Sequence, residues 1–82
     1  VTLGVMPDYL FDGKGMRIDG VREGKTAHQF DILAGDIVIK MGEIDVYDMK
    51  SYMKALGVYK PGDTIDVVVK RGEKEIVKKV TF

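Results

Sequence analysis

The side chains that could perform chemistry are few and scattered. His28 is the only histidine, cysteine is absent, and Ser51 has no histidine near it in sequence, so nucleophile, base and orienting group cannot be assembled. A lone histidine on a short polar turn faces solvent more often than it catalyses. Asp8 and Asp12 flank a glycine-containing stretch but supply too few ligands for calcium, and they read as turn residues. Gly13-Lys14-Gly15 is too short for a phosphate loop and has no helix behind it. Lys50, Lys54, Lys78 and Lys79 read as a solvated face. No catalytic residue and no metal ligand is nominated. What remains is a binding surface: an apolar run, Leu3-Gly4-Val5, and an amphipathic stretch from Asp48 to Leu56.

Those two segments need a scaffold, and 82 residues supply only one. A chain of this length buries about 60 to 65% of its unfolded surface, too little for two independent cores. Apolar residues at 45% fill one core, and charged residues at 32% keep its outside wet. Lys plus Arg and Asp plus Glu both number 13, which removes the broad positive field that a nucleic-acid binder or an anionic-membrane binder uses. Neither nucleic acid nor membrane insertion is expected, since no apolar stretch reaches about 20 residues. The chain opens on Val1, which is taken to mean that residues 1–82 are a single domain cut from a longer protein, with any targeting signal upstream.

Thr2 to Met6 reads as a short strand that Pro7 closes. Asp8 to Gly15 carries turn chemistry, and Met16 to Asp19 alternates as a second strand. Ala27 to Ile32 holds a turn or two of helix, with Phe30 and Leu33 expected to point inward. Ile37-Val38-Ile39 is an unbroken β-branched run, expected at the sheet centre and covered on both faces. Ile44 to Val46 is a brief strand after a Met41-Gly42-Glu43 turn. Asp48 is a good N-cap for a helix in which Met49, Tyr52, Met53 and Leu56 recur at i, i+3, i+4 and i+7, with Lys50, Ser51 and Lys54 outward and Gly57 as the stop. Ile65, Val67 and Val69 alternate with polar residues, and Gly72 turns the chain into a last strand, Glu75 to Phe82, with Ile76, Val80 and Phe82 on one side.

Two stretches in this order of elements resemble the PDZ domains of bacterial type that accompany envelope proteases and secreted peptidases. One runs from Gly24 to Gly42 and is similar to the family's short helix, Gly-Asp turn, aliphatic strand and closing glycine. The other joins Lys60-Pro61-Gly62-Asp63-Thr64 to Val67-Val68-Val69-Lys70-Arg71-Gly72. Leu3-Gly4-Val5 followed by Met6-Pro7-Asp8-Tyr9 further resembles the module behind the catalytic domain of some bacterial zinc aminopeptidases. The resemblance implies a mainly β, α+β fold: a PDZ-like, partly open β-barrel or sandwich of five to six strands with two helices, in the bacterial, permuted strand order.

It also implies a function. The backbone N–H groups of Leu3, Gly4 and Val5 would receive a peptide carboxylate, and Leu3, Val5, Met49, Tyr52, Met53 and Leu56 would line the groove beside them. A ligand would add as an extra strand, with an affinity on the order of micromolar or weaker. The expected partners are peptide or protein C-termini or the parent's own catalytic domain; the isolated domain is expected to be a monomer. No cofactor is expected in this domain, although the parent could carry zinc, and the location implied is periplasmic or secreted. Three departures from the family pattern stand out. Pro7 removes an N–H from the ladder a ligand would use. Asp31 and Ala34 replace a glycine and a proline near the short helix, with Asp31 strained if its φ is positive. Met49 stands where some relatives read a ligand hydroxyl with histidine.

Overall fold

The computed structural model describes all residues from Val1 to Phe82. Six strands and two helices follow in the order β1 (Val5–Pro7), β2 (Met16–Val21), α1 (Thr26–Gln29), β3 (Ile37–Met41), β4 (Ile44–Asp45), α2 (Met49–Val58), β5 (Thr64–Arg71) and β6 (Lys74–Thr81). All pairings are antiparallel, along the path β1-β2-β3-β5-β6 with β4 hung on β3. This is the mainly β, α+β architecture expected. β3 is its hub, and β1 lies at one end of the path with a single strand partner.

Alternation explains the strongest pair. Val67, Val69 and Val80 are fully buried, while Asp66, Lys70, Lys79 and Thr81 on the same two strands are exposed. Gly72, at φ +62°, is the first residue of the two-residue loop between β5 and β6, where a positive φ matches the twist of the hairpin. The β-branched run of β3 is less enclosed than its composition implies. Val38 is buried, whereas Ile37 and Ile39 are half-buried, and a bulge between Val38 and Lys40 shifts the register with β5.

The short helix also differs from expectation. It is a single turn, and the residues that enter the core are Ala27 and Ile32, not Leu33, which is 51% exposed. The cause is Asp31, whose φ of +59° rotates the chain after the helix so that Ile32 points inward. Asp is among the few non-glycine residues that tolerate this region. Five residues on, the Asp36 carboxylate accepts from Leu33 N–H at 2.9 Å. It is also clasped by Arg71 through Nε and Nη2, each at 2.8 Å. Asp36 is only 1% exposed, yet Arg71 keeps it charged. Burial pushes its carboxyl up, but the Arg71 hydrogen bonds, the Leu33 N–H and the positive charges of Arg71 and Lys78 outweigh that and hold it below the ordinary carboxylate range. Arg71 also donates to the Asp31 carbonyl at 3.1 Å, so one guanidinium fixes both turns that follow α1.

The longer helix starts as its sequence implies. Asp48 accepts from Ser51 N–H at 2.9 Å, and Ser51 Oγ accepts from Asp48 N–H at 3.1 Å and from Tyr47 N–H at 2.8 Å. Ser51 therefore closes a capping box instead of simply facing water. Gly57 does not stop the helix, which continues through Val58. Tyr59 ends it, in an extended conformation. Its hydroxyl donates to the Met41 carbonyl at 2.9 Å, and its ring stacks on Phe82 with centroids 6.2 Å apart, so the aromatic anchor and not the glycine decides where the helix gives out. No helix is long and apolar enough to cross a membrane.

Candidate functional site

The segment before β1 is shaped by two backbone contacts. Leu3 carbonyl accepts from Ala27 N–H at 2.8 Å, which ties it to the first turn of α1, and Gly4 carbonyl accepts from Arg22 N–H at 2.9 Å. Leu3 as a whole is fully buried, so it is a core residue whose atoms lie just beneath the cleft. Its N–H and that of Gly4 donate to no acceptor within the protein. Strand register extends the pattern. Val5 pairs with Val21 and follows the hydrogen-bonded Gly4–Arg22 step, so in an antiparallel ladder its N–H and C=O turn away from β2. The next residue with that orientation is Pro7, which has no N–H, and the register slips at the Met6–Pro7 step. Three successive N–H groups are thus left without an acceptor inside the protein, and the next one outward is missing at Pro7.

Gly4 is demanded by geometry more than by ligand access. Its φ is +72°, and a Cβ placed there would collide with Lys25 Cβ and sit 3.2 Å from Lys25 Cγ. The lysine stem therefore packs directly over the glycine, and Lys25 N–H donates to Arg22 carbonyl at 3.3 Å, which folds the two cationic residues into one turn beside Gly4.

A cleft of about 530 Å³, the largest of three, opens along this segment. Thr2, Leu3, Gly4, Val5, Met6 and Pro7 form one wall, and Tyr52, Met53 and Leu56 of α2 form the other. Of the residues expected to line a groove, Leu3, Val5, Tyr52, Met53 and Leu56 are brought together here. Met49 is not among them. It lies in a neighbouring depression of about 280 Å³ with Phe11, Met16 and Tyr47, because the first turn of α2 is set against the Asp8–Gly15 loop. Tyr52 and Leu56 are largely buried and form the floor, whereas Met53 is 58% exposed and forms the lip. Burial pushes the Tyr52 hydroxyl well above its usual titration range, so it is a neutral phenol.

Sequence reasoning missed three cleft residues, Tyr9, Arg22 and Lys25. Tyr9, 80% exposed, stands beyond Pro7 at the far end. Arg22 and Lys25 occupy the end at Gly4, and neither forms an ion pair; the chain's two salt bridges are Arg17–Asp8 and Arg71–Asp36. No acidic residue lines the cleft. A signal for the cations was present in sequence, since Arg22 and Lys25 bracket the turn before the short helix, but only the fold brings that turn onto Gly4.

Other candidates resolve into structural roles. His28 Nδ1 accepts from Gly24 N–H at 3.0 Å and so closes the turn ahead of α1. Asp8 accepts from Leu10 N–H at 3.0 Å and from Arg17 at 2.9 Å, which is turn chemistry. A third cleft, about 440 Å³, lies on the sheet's outer side between Lys14, Lys40 and Lys70 on one hand and Asp45 and Glu75 on the other.

The fold is thus a mainly β sheet whose edge strand β1 faces α2 across an open cleft, with N–H groups that lack internal acceptors at one end. The PDZ domain family model matches residues 2–81, and the chain belongs to that family. Among solved structures, the HtrA-type protease AlgW with a decapeptide superposes with a TM-score of 0.86 at 21% identity, covering 98% of this chain and 28% of that one. An aminopeptidase N family protein from Idiomarina loihiensis matches with a TM-score of 0.86 at 22% identity, covering 99% of this chain and 13% of its own. The HtrA3 PDZ domain bound to a phage-derived ligand matches at 0.80 and 16% identity, covering 98% and 82%. These likenesses concern the fold. The chain thus spans about a quarter of the protease and about an eighth of the aminopeptidase. No curated protein matches the chain.

Proposed function

We propose that this domain is a non-catalytic peptide-capture module, serving as a recruiting or regulatory part of a bacterial peptidase exported to the periplasm or beyond. The observation that carries the reading is the pair of N–H groups at Leu3 and Gly4, without internal acceptors, at the end of an apolar cleft. A carboxylate seated there accepts from Leu3, Gly4 and Val5. The ligand then runs back along β1 toward Pro7, antiparallel to it, with one side chain on the floor formed by Leu3, Tyr52 and Leu56. Burying an aliphatic side chain contributes roughly 1.5 to 3 kcal/mol, and charge-assisted hydrogen bonds about 1.5 to 3 kcal/mol each. Ordering costs offset much of this sum, so the affinity is on the order of micromolar.

Calorimetric titration with a peptide ending in free valine, and with its amidated twin, tests the reading. The free acid binds about tenfold or more tighter, the loss being that of one or more charge-assisted bonds. Equal affinity of the two forms sinks carboxylate capture.

A second reading, that the groove is idle and the domain docks on its parent enzyme, is favoured by Pro7. The two readings part at Pro7→Val. If ligands pair along β1, the restored N–H tightens binding of peptides four or more residues long by about two- to tenfold, one ordinary hydrogen bond, and leaves a dipeptide unaffected. No gain with peptide length supports the idle groove.

A further inference from the structure

The geometry points to a second level of selection within the same cleft: we propose that Arg22 and Lys25 read an acidic side chain next to the ligand's C-terminal residue. The inference rests on the peptide-capture reading and adds to it the chemistry of the preferred partner, a protein tail whose penultimate residue is Asp or Glu.

Strand geometry assigns the positions. A ligand extending β1 presents successive side chains on opposite sides. When its last side chain lies on the apolar floor of Leu3, Tyr52 and Leu56, the penultimate one points away from α2, and Arg22 and Lys25, which lie outside α2, are the charged residues that line the cleft. That turn is anchored to the carboxylate end at both residues. Arg22 N–H donates to Gly4 carbonyl at 2.9 Å, and Lys25 packs its stem over Gly4, so both cations are carried to the ligand's terminus by the backbone itself.

Charge supports the assignment. Neither cation has an ion-pair partner in the protein, and the cleft has no acidic residue to neutralise them. Glu23 stands between them in sequence but does not line the cleft, so the two cations give its end a local positive field. The terminal carboxylate has the Leu3, Gly4 and Val5 N–H groups to itself, which leaves the guanidinium and the ammonium for a second anion. Both side chains are exposed, so the gain is that of surface ion pairs, modest and weakened by salt.

The test is calorimetric titration of the intact 82-residue domain with three peptides that end in free valine and differ only in carrying Glu, Gln or Lys before it, at low and at physiological ionic strength. The Glu peptide is expected to bind about two- to fivefold tighter than the Gln peptide, and the Lys peptide weaker by a similar factor, with the spread shrinking as salt rises. In the double variant Arg22→Met, Lys25→Met, which keeps the apolar stem over Gly4, the three peptides bind equally. Equal affinities in the wild type, or a Glu preference that survives in the double variant, overturn the assignment while leaving peptide capture standing. If none of the three binds, capture itself fails and this selection falls with it.

Discussion

Asp36→Ala lowers the free energy of unfolding by about 2 to 4 kcal/mol, the largest single loss expected from any polar residue in the domain. The carboxylate joins β5 to the turn after α1. It accepts two hydrogen bonds from Arg71 and one from Leu33 N–H while almost wholly buried. Its removal leaves the Leu33 donor without a partner and frees Arg71, so the turn that begins at Asp31 and seats Ile32 loses its tether. Chemical denaturation of the purified variant measures the loss. A change under about 0.5 kcal/mol, the size of an ordinary surface substitution, would show that the turn holds without it.

The same pair makes an acid signature. The Asp36 carboxyl sits below its ordinary value of 3.8 when folded and returns to it when unfolded. Protons then favour the unfolded chain. The group's contribution to stability is complete above the unfolded value and drains away as pH falls through the folded one. In Arg71→Met the burial that pushes the carboxyl up loses its main opponent, so the folded value rises and the acid loss from this group shrinks. Denaturation midpoints at pH 7, 4 and 3 are expected to fall more steeply for the wild type than for the variant. Parallel slopes would mean that Asp36 does not depend on Arg71 for its charge.

Gly4→Val weakens capture of a free-acid peptide by about 10- to 100-fold, the equivalent of one or more charge-assisted bonds. It also costs about 1 to 2 kcal/mol of stability from the positive φ. Two faults act at once. The new Cβ collides with Lys25, and the backbone leaves the conformation that aims successive N–H groups into the cleft. Gly4→Ala combined with Lys25→Gly removes the collision but not the strain, and recovers part of the affinity. Full capture by Gly4→Val would show that the ligand is held elsewhere.

How much could be read before folding depended on how local each determinant is. The alternation in β5 and β6 and the aspartate that starts α2 act over a few residues, and they stand where the sequence puts them. So does the closure of the first strand by Pro7. Determinants that act across the fold were not legible. Leu33 looked like the inward anchor of the short helix, but the left-handed Asp31 turns Ile32 inward in its place. Gly57 looked like a stop, but Tyr59, anchored to Met41 and Phe82, sets the end. Met49 shares the apolar stripe of α2 with Tyr52 and Leu56, yet the loop packed against the helix start takes it out of the main cleft. In sequence Gly4 stands out only as one of three backbone donors, whereas its packing against Lys25 requires knowing which turn crosses it. The same crossing brings Arg22 and Lys25 to the cleft's end.

The most direct measurement follows the backbone amides of Leu3, Gly4 and Val5 by nitrogen-15 NMR while a peptide with a free C-terminal valine is added. If these donors hold the carboxylate, their three proton resonances move downfield together and saturably, as expected for N–H groups taking up a charged acceptor, and the amidated peptide leaves them nearly still. Binding that leaves these amides unmoved, with shifts at the Lys14, Lys40 and Lys70 cleft or anywhere else instead, would contradict that role.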